Sequence, residues 1–247
     1  GLPVILLHGW LESWDHWLGT MESLGRYHKT YALDFWGFGE SGKQGESFTV
    51  QDYVEMVDQF MERLGIAQAS ILGHSMGGTV ALSLTLEHPE RVQRVVVVGS
   101  PIVGDGLSLF LRLSARRSLA GLFYQVFPLS VRLLSPFYAR DWKRWYKMFR
   151  RDLSRTTLES FHYSIASLRK IDLRPRLKEI QVPTLGIYGR VDRIVNPRQR
   201  EVLVQGTPMA EIRYFERSGH FPMLDEPKRF YQTLHEFLDH QSEYAAP

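Results

Sequence analysis

The 247-residue chain contains no cysteine. That excludes a fold stapled by disulfides and the cysteine-ligated zinc sites, and it fits the cytoplasm. No stretch of 18 apolar residues occurs, so no helix is expected to span a bilayer. Internal repeats and low-complexity tracts are absent as well. The nine histidines are scattered without the close spacing of metal ligands. Neither a metal nor an organic cofactor is therefore expected. The net charge is only +3, and no nucleic-acid-binding motif accompanies it, so nucleic acid is not an expected partner.

Among the segments present, Gly73-His74-Ser75-Met76-Gly77-Gly78 is the most informative. It follows the apolar run Ser70-Ile71-Leu72 and precedes the helical pattern Thr79, Val80, Ala81, Leu82, Leu84, Leu86. Gly-x-Ser-x-Gly between a strand and a helix is the pattern of a nucleophile elbow. The glycines let strand and helix pack closely around a strained serine. The hydroxyl then sits at a helix N-terminus, where developing negative charge is favoured. A glycine-rich turn with a surface serine would show the same letters, so the other residues of the chain must decide.

A nucleophilic serine needs a base, and the base needs an orienting acid. Five histidines follow Ser75: His88, His162, His220, His235 and His240. His88 ends a helix before Pro89. His162 lies in an irregular middle region. His235 and His240 belong to a C-terminal helical pattern. Only His220, in Ser218-Gly219-His220-Phe221-Pro222, sits in a loop after a strand-like run. Asp192 is the best-placed acid, following Thr184–Tyr188 and the turn Gly189-Arg190-Val191; Asp105, after Val95–Val98, is a second candidate. Each candidate follows its own strand, which suits an open parallel sheet with its site at the carboxyl ends.

With these motifs the chain resembles the α/β-hydrolase family over nearly its whole length. His8-Gly9-Trp10 is similar to the family's oxyanion loop, and Asp34-Phe35-Trp36-Gly37-Phe38-Gly39-Glu40-Ser41 to its Asp-x-x-Gly-x-Gly-x-Ser turn. Gly189–Asp192 and Gly219–Pro222 are similar to its acid and histidine loops. The resemblance implies Ser75 as nucleophile, Asp192 as acid and His220 as base. It implies the backbone N–H groups of Trp10 and Met76 as oxyanion donors, and it sets His8, Gly9 and His74 along the substrate pocket. His8 and His74 are expected to hold loop geometry rather than act as bases. Asp34 is expected to bind its own turn.

The expected fold class is α/β, a mostly parallel sheet flanked by helices, with strands near 3–7, 30–34, 69–72, 94–98, 184–188 and 210–215. Thr49 and Asp52 predict a capping box opening a helix whose buried face carries Tyr53, Met56, Val57, Phe60 and Leu64, closed by Gly65. Pro227 is expected to start the last helix. The chain opens at Gly1 in what the family counts as its third strand. The two leading strands are thus expected to be absent from this chain, leaving the 30–34 strand at an edge. Any targeting signal would lie upstream.

From about Ile102 to Ile171 only helical patterns occur. The resemblance implies a core of residues 1–101 and 171–247 and an inserted helical cap of 102–170. Residues 101–170 carry 13 Lys and Arg against 4 Asp and Glu, a balance of +9, which leaves 17 against 23 elsewhere. They also hold 12 of the 31 aromatic residues. A helix near Ala139–Ser154 sets Trp142, Trp145, Tyr146, Phe149 and Leu153 opposite Arg140, Lys143, Arg144, Lys147, Arg150 and Arg151. Two partners suit that basic face: an anionic membrane surface, which would make the protein peripheral, or an acidic acyl carrier. The expected activity is hydrolysis of small-molecule carboxylic esters, lipophilic ones above all, by a serine esterase. Two alternatives stay open: a C–C bond hydrolase of the meta-cleavage type, and a slow-turnover ligand receptor. Against the former stand His74 and Phe221, where such enzymes carry Asn and Trp.

Overall fold

The computed structural model describes residues 2–43, 47–137, 139 and 141–239. Arg140 and His240 lie outside the described residues. Six strands form one parallel sheet: β1 (Pro3–Leu7), β2 (Lys29–Leu33), β3 (Ala69–His74), β4 (Val92–Val98), β5 (Thr184–Gly189) and β6 (Ala210–Phe215). Their order is β2-β1-β3-β4-β5-β6. The central strands are mostly apolar because helices cover both faces of a parallel sheet; every residue of β3 is buried. β2 and β6 stand at the edges and are only half-buried.

Ten α-helices accompany the sheet among the described residues: α1 (Leu18–Leu24), α2 (Val50–Arg63), α3 (Met76–Glu87), α4 (Leu109–Ser114), α5 (Arg117–Leu134), α6 (Trp142–Leu153), α7 (Leu158–Lys170), α8 (Gln199–Gly206), α9 (Pro222–Asp225) and α10 (Pro227–Asp239). α3 is buried on all sides from Met76 to Leu86. It packs against β1, β3, β4 and α2, and its apolar sequence all round is what a central helix requires.

The α2 capping box is present. Thr49 Oγ1 accepts the Asp52 N–H and the Asp52 carboxylate accepts the Thr49 N–H. Thr49→Ala is expected to lower stability by about 1 kcal/mol, read from urea unfolding. The buried stripe of α2 is Val50, Tyr53, Val54, Val57 and Met61. It is rotated from the expected face, and Leu64 is 51% exposed. The helix turns away at Gly65, whose φ is +65°.

Between residues 102 and 171 the structure is helical, α4 to α7, with a short 3-10 turn at Gly104–Gly106. The aromatic helix begins later than the sequence pattern suggests. Asp141 caps it by accepting the Arg144 N–H, and α6 starts at Trp142. His162 lies within α7 rather than in irregular chain. Where the chain leaves and rejoins the sheet layer its two passes are zipped together. Gly104 donates to the Ile171 carbonyl, Leu173 donates to the Ile102 carbonyl, and Val103 bridges Asp172.

Candidate active site

The sheet order changes direction at β1, so a crevice opens between the carboxyl ends of β1 and β3. Trp10 follows β1 and Ser75 follows β3 directly; Asp192 follows β5 and His220 follows β6. All four sit at the same end of the sheet. Above them α4 to α7 close a narrow cavity of about 70 Å³ whose wall includes Trp10, Ser75, Phe127, Trp145, His220 and Phe221.

Ser75 stands at φ 50° and ψ −117°. Side chains avoid this left-handed region, at a cost of about 1–3 kcal/mol. The turn is possible because Cβ atoms are missing nearby: one at Gly73 would strike the Gly77 backbone, and one at Gly77 would strike the Leu7 and His8 carbonyls. The Ser75 N–H is fixed by the Val98 carbonyl at 2.8 Å. Its hydroxyl does not cap α3, so it is left facing the cavity. Leu11, at φ 59°, is the other non-glycine residue with positive φ among the described residues. Both strained residues line the same cavity.

His220 Nδ1 donates to Asp192 Oδ2 at 2.7 Å. The second Asp192 oxygen accepts the N–H groups of Ile194 at 2.8 Å and Val195 at 3.0 Å, so the carboxylate cannot rotate away. Asp105 is exposed in its 3-10 turn. At the end of β4 stands Gly99, where a Cβ would come within 3.2 Å of His220 Nδ1. The partner of His220 is therefore Asp192 rather than Asp105.

His8, Gly9 and His74 do not form the cavity wall, contrary to expectation. They are buried behind it, because their polar groups are spent on the loops. His8 Nε2 accepts the Phe35 N–H at 2.9 Å, so its proton is on Nδ1, 2.7 Å from the Gly9 carbonyl. Burial holds His8 below its ordinary value, outweighing the Gly9 carbonyl and the Asp34 and Glu12 carboxylates. Asp34 binds its own turn through Oδ2, which accepts the Glu40 N–H at 2.8 Å, and reaches the segment after β1 through Oδ1, which accepts the Trp14 N–H at 2.7 Å.

Sequence reasoning missed Glu12. Its carboxylate accepts the Gly9 N–H at 2.8 Å and lies 2.9 Å from His74 Nδ1. His74 Nε2 donates to the His220 carbonyl at 2.8 Å. One buried carboxylate thus ties the loop after β1 to the loop of His220. Burial alone would raise Glu12, but the charges of His74 and His16 and the hydrogen bonds from His74 and Gly9 pull it far below the carboxylate range. Burial alone would lower His74, but the Glu12 charge and hydrogen bond, then the His220 carbonyl, hold it above its ordinary value. Both ring nitrogens of His74 face acceptors, the Glu12 carboxylate and the His220 carbonyl, which suits a protonated ring. His74 is fully buried, and Glu12 reaches the cavity wall. His16 extends the cluster, with Nε2 3.3 Å from Asp152 Oδ2 on α6. Among the described residues, no three His, Asp or Glu side chains converge as metal ligands.

A strained serine, a histidine–carboxylate pair and a roofed crevice at the carboxyl ends of a parallel sheet are what a hydrolase of the serine type is built from. The sequence matches the model of the alpha/beta hydrolase fold family over residues 3–227; the chain belongs to that family. It is 27% identical to a pimeloyl-[acyl-carrier protein] methyl ester esterase of Aeromonas hydrophila, covering 96% of each chain. It is 28% identical to a 2-hydroxy-6-oxo-6-phenylhexa-2,4-dienoate hydrolase of Burkholderia cepacia, over 96% of this chain and 88% of that one. The solved esterase of Exiguobacterium antarcticum superposes with a TM-score of 0.85 at 22% identity, over 97% of this chain and 92% of the other.

Proposed function

We propose that the protein hydrolyses neutral carboxylic esters of aliphatic acyl chains through an acyl-enzyme on Ser75. One observation carries this reading: the two strained non-glycine residues, Leu11 and Ser75, flank one cavity with His220. Strain of this kind persists where function selects it. In the proposed reaction Ser75 Oγ attacks the ester carbonyl and its proton passes to His220 Nε2. Asp192 holds Nδ1–H and stabilises the imidazolium. The Trp10 and Met76 N–H groups receive the oxyanion, each such donor being worth about 10²–10³ in rate. The proton leaves with the alcohol, and water then releases the acid by the same base. Residues 102–170 act as the cap over the two-part core.

The cavity selects among esters. Among the described residues its lining holds no Lys or Arg, so a free carboxylate inside it would be buried unpaired. The Burkholderia relative's substrate is by name a dienoate anion, which lacks a counter-ion here. The Aeromonas relative's substrate is by name a methyl ester, a carboxyl end made neutral. That difference favours ester cleavage over C–C bond hydrolysis, and nothing in the site calls for a receptor role. Arg144, Lys147 and Arg150 border a separate groove on α6, which suits an acidic carrier presenting the acyl chain. We therefore include carrier-linked esters in the substrate class.

Steady-state hydrolysis of p-nitrophenyl esters from acetate to palmitate tests the reading. Multiple turnover with an optimum at short to medium unbranched chains is expected from a narrow apolar cavity. Turnover confined to dienoate substrates would overturn it.

A further inference from the structure

α5 has two apolar faces. Phe127 and Val131 point inward and line the cavity. Leu122, Val126, Leu129 and Leu133 point outward, at spacings of four, three and four residues. That is one continuous ridge on a helix. Leu122, Leu129 and Leu133 are 59%, 61% and 66% exposed. Leu109 on α4 and Phe137 just beyond α5 are also more than half exposed. A monomer gains nothing from showing water a leucine ridge of this extent, which marks a docking face.

The charges around the ridge say what covers it. Between Asp105 and Asp141 the sequence has no carboxylate, yet it carries Arg112, Arg116, Arg117, Arg132 and Arg140. Arg116, Arg117 and Arg132 are exposed. A second copy of the chain docked by this face would set arginine against arginine with no acid from this stretch between them. A surface that is apolar inside and negative at its rim satisfies leucine and arginine together. An amphipathic helix with a leucine face and arginine flanks lies in a lipid headgroup layer in this way. No helix among the described residues is long and apolar enough to cross a membrane, so the contact is a surface one.

We propose that the outer face of α4 and α5 docks the protein on an anionic lipid surface. Because α5 also walls the cavity, docking sets the cavity roof against the layer in which lipophilic esters dissolve. The surface differs from the α6 groove, and docking does not depend on the hydrolase reading.

Flotation of the whole protein with vesicles tests this, comparing phosphatidylcholine mixed with phosphatidylglycerol against phosphatidylcholine alone. Binding to the mixed vesicles, weak on the neutral ones and falling with salt, is expected. Leu129→Glu with Leu133→Glu should weaken it by about tenfold or more. Arg116→Glu with Arg117→Glu should weaken it by at least about fivefold for each residue changed. Hydrolysis of a soluble ester should be unchanged in both variants, since none of the four side chains lines the cavity. The arginine pair is a surface change, so it keeps the test intact if the leucine variant folds poorly. Failure of the mixed vesicles to bind at low salt overturns the proposal, as does binding that both variants retain. Self-association that the leucine variant abolishes, without vesicle binding, also overturns it and assigns the face to a second copy. An inactive protein that still floats overturns the hydrolase reading alone.

Discussion

Ser75→Ala is expected to lower kcat for ester hydrolysis by about 10⁶-fold while leaving KM and the unfolding midpoint close to wild type. The loss is large because, in the proposed reaction, the Ser75 hydroxyl is the attacking group; among the described residues Glu12, the one carboxylate in the wall, is committed to Gly9 and His74. His220→Ala should cost about as much, and the double variant little more, since the two act as one unit. Asp192→Asn should cost about 10⁴-fold. An asparagine can still accept from Ile194 and Val195, so the loop is expected to keep its shape. Its amide, however, cannot both accept from Nδ1–H and stabilise an imidazolium. Steady-state kinetics with thermal unfolding on the same samples separate chemistry from folding. Near-normal turnover in Asp192→Asn would reject Asp192 as the acid, although Asp105, exposed on its turn, has no geometry with which to replace it.

What the sequence makes legible is what is encoded locally. The turn at Ser75 needs Gly73 and Gly77 within two residues on either side, and the backbone clashes a Cβ would cause there explain both. The strands are legible because the inner ones are short, mostly apolar runs and the half-buried edge strands β2 and β6 mix polar with apolar residues; all six lie within two residues of their expected ends. Edges and helix faces are harder. The start of α6 is set by Asp141 acting as a cap, which the aromatic pattern does not reveal.

α7 hides its period because two of its buried positions are Ser160 and Ser164. Their hydroxyls satisfy themselves on the Gly37 carbonyl and on backbone of the same helix, so small polar residues serve as core. The two faces of α5 are both apolar, and nothing local tells the inward Phe127 from the outward Leu129. Glu12 is illegible for another reason. Its partner His74 is 62 residues away, and in the sequence it is one polar residue between Leu11 and Ser13. The available signal was a carboxylate two residues beyond His8-Gly9-Trp10 in a stretch rich in Leu and Trp.

Glu12→Gln is expected to have the largest effect on stability, a loss of about 3–5 kcal/mol near pH 5.5, because it removes the partner carboxylate of a fully buried, protonated His74. The dependence on pH follows from the two shifts. Glu12 lies below its ordinary value of 4.5, so its contribution is present above that pH and fades as the pH falls below it. His74 lies above its ordinary value of 6.5, so its contribution is complete below 6.5 and fades as the pH rises past it. The wild-type advantage over Glu12→Gln should therefore peak between these two values and shrink on both sides. The other charged or titratable groups facing the pair are His16 and His8 on the Glu12 side and Asp192 on the His74 side, and all three are retained in the variant. Activity should fall too, by about 10²-fold, since the Gly9 N–H and the His220 carbonyl both lose their anchor. Glu12→Gln combined with His74→Gln should recover most of the stability, because neither charge is then left alone. Urea unfolding across this pH range reads all of these. A cost for Glu12→Gln below about 1 kcal/mol, or one that does not vary with pH, would mean that His74 is neutral and that the loops are held by packing instead.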